Sequence, residues 1–134
     1  MASLIRVEGI GEKYAKKLVK AGVSSTDALL KQGGTRKGRT EIAEKSGISE
    51  KLILEWVNHV DLFRIKGVFE EYADLLEEAG VDTVVELSNR NPENLYNKMV
   101  EVNASKNLVR QLPGQSQVAD WVAQAKKLER AVSY

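Results

Sequence analysis

Residues 4–23 read LIRVEGIGEKYAKKLVKAGV, and residues 62–81 read LFRIKGVFEEYADLLEEAGV. Laid over one another, the two stretches agree at ten of 20 positions, and most other apolar positions stay apolar. Further along, LILEWV (52–57) has a counterpart in QVADWV (117–122). The offset has grown from 58 to 65, so the second copy has gained about seven residues, which we place around NPENLYNKMVEVNASK (91–106). Self-similarity of this kind is the sequence signature of a repeated supersecondary unit. It predicts two homologous units, residues 1–60 and 61–134. The join at Asn58–Leu62 lacks Gly and Pro, which predicts that they form one compact body.

Each copy reads as short helices joined by glycine turns. In the first, Tyr14, Leu18 and Ala21 share a stripe, and Gly22 stands where a helix-ending glycine belongs. Ser24 with Asp27 three residues on resembles a capping box for a helix through Leu29 and Leu30. A third helix starts at or just after Thr35 and ends near Gly47. Ser49 caps a fourth, with Leu52, Ile53, Trp56 and Val60 on its apolar face. In the second copy Asn91-Pro92 opens a helix, Pro113-Gly114 breaks the chain, and Ser116 opens the last helix. No stretch alternates with period two, so strands are not expected. The fold class is all-α, a small helical bundle of tandem duplicated units.

Length and composition narrow the function. The 134 residues suffice for a core without staples, and there is no cysteine, which excludes disulfides and thiolate metal sites and suits a reducing compartment. No apolar run approaches the roughly 20 residues of a spanning helix. MASLIRVEGIGEK lacks the apolar segment of a signal peptide, so a cytoplasmic location is expected and no membrane partner. The net charge is +1, but residues 1–60 hold 11 Lys/Arg against 7 Asp/Glu, while residues 61–134 hold 9 against 12. A polyanion would prefer the first half. The pI of about 7.9 nonetheless lies below the value near 9 of dedicated nucleic-acid domains.

The Gly9-Ile10-Gly11 triplet has two physical readings. Either the glycines make a helix connection beside a solvated lysine face, or they bare peptide amides to something that approaches. Glycine at 9 and 11 permits positive φ, and Ile10 between them can anchor the turn. The helix beginning near Gly11 has unpaired N–H groups and its positive dipole end there, which suits a phosphate. Lys13, Lys16, Lys17 and Lys20 follow.

Val7-x-Gly9-Ile10-Gly11-x-x-x-Ala15-x-x-Leu18 resembles the helix-hairpin-helix motif. Many members of that class bind the DNA backbone without reading bases, through hairpin amides and nearby lysines. Tyr14 stands where the motif commonly has a small polar residue, and Glu12 adds a carboxylate to the first turn. Nearly the whole chain also resembles an uncharacterised bacterial family of tandem helix-hairpin-helix-like domains, on residues 34–57 (GTRKGRTEIAEKSGISEKLILEWV) and 64–87 (RIKGVFEEYADLLEEAGVDTVVEL). That resemblance implies fold more than activity. In the second copy Gly67-Val68-Phe69 loses the second glycine, and Glu70, Glu71, Asp74, Glu77 and Glu78 make the next helix acidic. That turn is read as structural, or as a surface for another partner.

Other candidates carry less. Gly33-Gly34-Thr35-Arg36-Lys37-Gly38-Arg39-Thr40 approaches a phosphate-loop pattern, but helix precedes it instead of a buried strand. Arg36, Lys37 and Arg39 are kept as secondary phosphate contacts. His59, the only histidine, has no evident nucleophile or metal-ligand partner, and Trp56 and Trp121 read as matched core residues. The expectation is a protein with no catalytic residues, no metal and no cofactor. It binds the DNA or RNA backbone through Gly9, Ile10, Gly11, Lys13, Lys16 and Lys17; the alternative is a protein-interaction module built on the acidic second unit.

Overall fold

The computed structural model describes residues 3–7 and 9–134; Met1, Ala2 and Glu8, which belong to the first expected unit, lie outside the described residues. Among the described residues a 3-10 turn, Leu4–Arg6, leads into eight α-helices: α1 Glu12–Lys20, α2 Thr26–Gly33, α3 Arg36–Ser46, α4 Glu50–Leu62, α5 Glu70–Glu78, α6 Val84–Ser88, α7 Pro92–Lys106 and α8 Gln115–Lys127. The described residues include no strand, so the expected all-α class holds. The chain divides into two compact units, Met1–Asp61 with Ala131–Tyr134, and Leu62–Arg130. No helix among the described residues is long and apolar enough to cross a membrane.

Local chemistry sets most of the boundaries. Helix α1 ends in a Schellman motif: Gly22 adopts φ +91°, Val23 N–H donates to Leu18 O at 2.8 Å, and Gly22 N–H donates to Val19 O at 3.0 Å. Helix α5 ends the same way, with Gly80 at φ +94° and Val81 N–H donating to Leu76 O at 2.8 Å. Hydroxyls or amide oxygens cap α2, α3, α6 and α7, from Ser25, Thr35, Thr83 and Asn91 respectively. The α2 cap corrects the expected Ser24 by one residue, since Ser25 has the extended backbone and accepts from Ala28 N–H at 3.1 Å. Thr35, Gly47, Ser49 and the Asn91-Pro92 pair stand where the sequence predicts helix ends. Helix α8 opens at Gln115 with Gly114 as its first cap, one residue ahead of the expected Ser116.

In the first unit α3 packs against α1 and α2. The core gathers Val7, Ile10, Leu18, Val23, Leu29, Ile42, Ile48, Ile53, Trp56 and Val57, all buried. In the second unit α6 and α7 pack against α8, and α5 against α7. Its core holds Ile65, Val68, Leu75, Leu76, Leu87, Leu95, Met99, Val118 and Trp121. Each unit buries one tryptophan against a tyrosine from the helix after its first glycine turn. Tyr14 and Trp56 lie 5.2 Å apart at 58°, and Tyr72 and Trp121 lie 5.3 Å apart at 52°. Both tryptophans are core, as expected, and neither offers a face for stacking bases.

Candidate nucleic-acid interface

The turn before α1 is held from inside. Ile10 is 3% exposed, and its N–H donates to Val7 O at 3.0 Å. Gly9 has φ +90°, and a Cβ there would stand 3.2 Å from Trp56 Nε1. Glycine is therefore required at 9 by backbone conformation and by the tryptophan beneath it.

Gly11 is different. It is the N-cap of α1 at φ −83°, ψ −179°, extended backbone that any residue adopts. The expected positive φ occurs at Gly9 and not at Gly11. A Cβ on Gly11 would meet nothing within 4 Å, so the chain's own packing does not call for glycine there. Among the described residues no side chain caps the helix start, and Gly11, Glu12 and Lys13 are exposed. The positive end of the helix dipole lies at these first-turn amides. Lys13, Lys16 and Lys20 are exposed along α1. Lys17 is half-buried, with Nζ 5.8 Å from the Tyr14 ring centroid.

The second basic stretch divides. Arg36 and Lys37 are exposed in the first turn of α3, in the same unit as α1. Arg39 is 4% exposed: Nη1 donates to Gly33 O at 2.9 Å and Nη2 to Ser133 O at 2.7 Å. Burial pushes its pKa below the ordinary arginine value, partly offset by Tyr134 and Glu50. This corrects the expectation for Arg39, whose guanidinium is committed to peptide carbonyls inside the unit. The loop's glycines are steric too. A Cβ on Gly33 would come within 2.7 Å of Val57 Cγ2, one on Gly34 would strike the Ala131 carbonyl, and one on Gly38 the Gln32 carbonyl. The Gly38 N–H donates to Thr35 Oγ1, so this amide is already taken by the cap of α3.

The corresponding turn before α5 has the same frame and a different surface. Gly67 has φ +96°, and a Cβ there would stand 3.1 Å from Trp121 Nε1. Val68 is buried, while Phe69 occupies the N-cap 65% exposed, with Glu70 and Glu71 exposed in the first turn. Gln124 braces the turn by accepting from Lys66 N–H at 2.9 Å and donating to Lys66 O at 3.1 Å. The sequence reading did not find this brace; the matched tryptophans offered a signal, since Gln124 lies three residues beyond Trp121, almost one helical turn. The 65-residue offset between Trp56 and Trp121 sets Gln124 opposite His59, which is buried in α4 along with Asp61.

The second unit carries one electrostatic strain. Burial, with Glu86 and Glu77 nearby, pushes the Asp82 carboxyl above the usual aspartate range. Below about pH 4 the group is protonated in both folded and unfolded chains and has no effect on stability. As pH rises through that value the unfolded chain ionises first, and stability falls until the raised pKa is passed. Asp82→Asn is therefore expected to raise Tm at pH 7 by about 1–3 °C and to leave it unchanged at pH 3. Thermal melts giving the same difference at both pH values would place the effect elsewhere.

These features describe an all-helical protein with glycine turns ahead of short helices. The chain belongs to the family described as Domain of unknown function (DUF4332), whose family model matches residues 8–128. No curated protein and no solved structure matches the chain.

Proposed function

We propose that the chain is a pair of helix-hairpin-helix-like units, and that the first binds the phosphate backbone of nucleic acid without reading bases. The observation that carries this reading is Gly11, a glycine that neither backbone conformation nor packing requires. Its missing Cβ leaves the uncapped amides of α1 open to a ligand from outside the chain. A phosphate there meets the N–H groups from Gly11 to Lys13 and the charges of Lys13, Lys16 and Lys17. Arg36 and Lys37 are exposed on the same unit and add field; Arg39 does not take part. Trp56 is in the core, and Tyr14 is half-buried with Lys17 over its ring, which favours contact to the backbone over stacking on bases.

If about two to four phosphates are neutralised, affinity for duplex DNA falls about 10- to 150-fold between 50 and 200 mM salt. Labelled duplex titrated at both salt concentrations tests this. Lys13→Glu/Lys16→Glu is expected to abolish the binding. Gly11→Phe, which copies the second turn, is expected to weaken it without changing the melt. Absent binding at 50 mM salt, or binding indifferent to both variants, overturns the proposal. Function then passes to the second unit, where the exposed Phe69 beside Glu70 and Glu71 favours contact with another protein.

A further inference from the structure

The first unit holds a four-residue segment from far along the chain. Ala131–Tyr134 is not helical and follows a run, Lys126–Arg130, whose residues are all exposed. Ser133 uses both its backbone groups: its N–H donates to Gly34 O at 2.8 Å, and its carbonyl accepts from Arg39 Nη2 at 2.7 Å. Val132, just before it, is 3% exposed, although Ser133 and Tyr134 on its other side are exposed. The Ala131 carbonyl lies where a side chain on Gly34 would begin, and the Tyr134 hydroxyl donates to Asn58 Oδ1 at 3.4 Å. Main-chain bonds to one residue, with an apolar side chain buried beside it, are how folded domains hold extended peptides.

Arg39 gives this arrangement its direction. A buried guanidinium without acceptors is strongly disfavoured, and both its bonded nitrogens meet peptide carbonyls, not a carboxylate. One of those carbonyls is Gly33, on the floor; the other comes with the segment. Lifting the segment leaves Nη2 and the Gly34 carbonyl needing partners, and a peptide backbone supplies both. We propose that Gly33, Gly34 and Arg39 form a peptide receptor, and that Ala131–Tyr134 is its built-in, detachable ligand. The receptor accepts a non-helical peptide carrying a branched apolar residue directly ahead of the backbone-paired one. This surface is independent of the turn at Gly11.

Val132→Asp in the full chain empties the receptor by burying a charge in place of the valine. A labelled synthetic peptide of residues 128–134, LERAVSY, is then titrated by fluorescence anisotropy, with helix content checked by circular dichroism. The variant is expected to keep its helices and to bind the peptide. The parent chain, whose receptor is filled, binds it at least about tenfold more weakly. The same peptide with aspartate for valine does not bind, and adding Arg39→Ala to the variant weakens binding about tenfold or more, the loss of a charge-assisted bond. Loss of the fold in Val132→Asp overturns the proposal, because the segment is then part of the core and not a ligand. So does absent binding, or equal binding of the two peptides.

Discussion

Trp121→Ala is expected to lower stability by about 3–5 kcal/mol, a large share of what a domain of this size possesses. The indole is 1% exposed, packs at 52° to Tyr72, and supports the Gly67 turn from beneath. It belongs to a buried cluster with Val68 from the turn before α5, Leu75 and Leu76 from α5, and Val118 from its own helix α8, so filling the space requires these elements to move. The lost transfer energy and the residual cavity therefore add. Urea unfolding followed by far-UV circular dichroism measures the loss. A change below about 1 kcal/mol would show that the turn before α5 does not depend on the ring beneath it.

The helix ends were legible because the rules that set them reach only four or five residues. Gly22, Gly47, Thr35 and Ser49 each act on a carbonyl or amide within that range, and each acts where the local pattern places it. The tryptophans were legible for another reason: two occurrences at matched positions identified a shared packing role. Ser24 against Ser25 was not decidable locally, since both carry a hydroxyl at the head of α2 and only backbone conformation selects between them. Arg39 was beyond any local rule. In the sequence it is one cation among three in TRKGR, and one of its two carbonyl partners in the fold is Ser133, 94 residues away. Nothing in the short string AVSY announces a partner at that distance. Gly11 marks the opposite case, in which the sequence pattern drew attention to a residue for which the fold supplies no internal reason.

Gly38→Ala separates those two kinds of glycine. Gly38 is the third residue of α3, and its N–H is bonded to Thr35 Oγ1 at 3.1 Å. A Cβ there would collide with the Gln32 carbonyl oxygen and approach the carbonyl carbon to 3.0 Å. Both are backbone atoms of α2, so no side-chain rotation relieves the overlap, and the start of α3 has to move away from the end of α2. Arg39 is the next residue, and that movement draws its guanidinium off the Gly33 and Ser133 carbonyls. The expected loss is about 2–3 kcal/mol, the upper part of the usual range for an overpacked site. Gly11→Ala, with open space around the added methyl, is expected to stay within about 1 kcal/mol of the parent. The two substitutions add the same single carbon, so chemical denaturation of both in parallel reads geometry alone. If Gly38→Ala proved as mild as Gly11→Ala, packing would not account for the glycines of GGTRKG, and a role for that loop in holding a ligand would return.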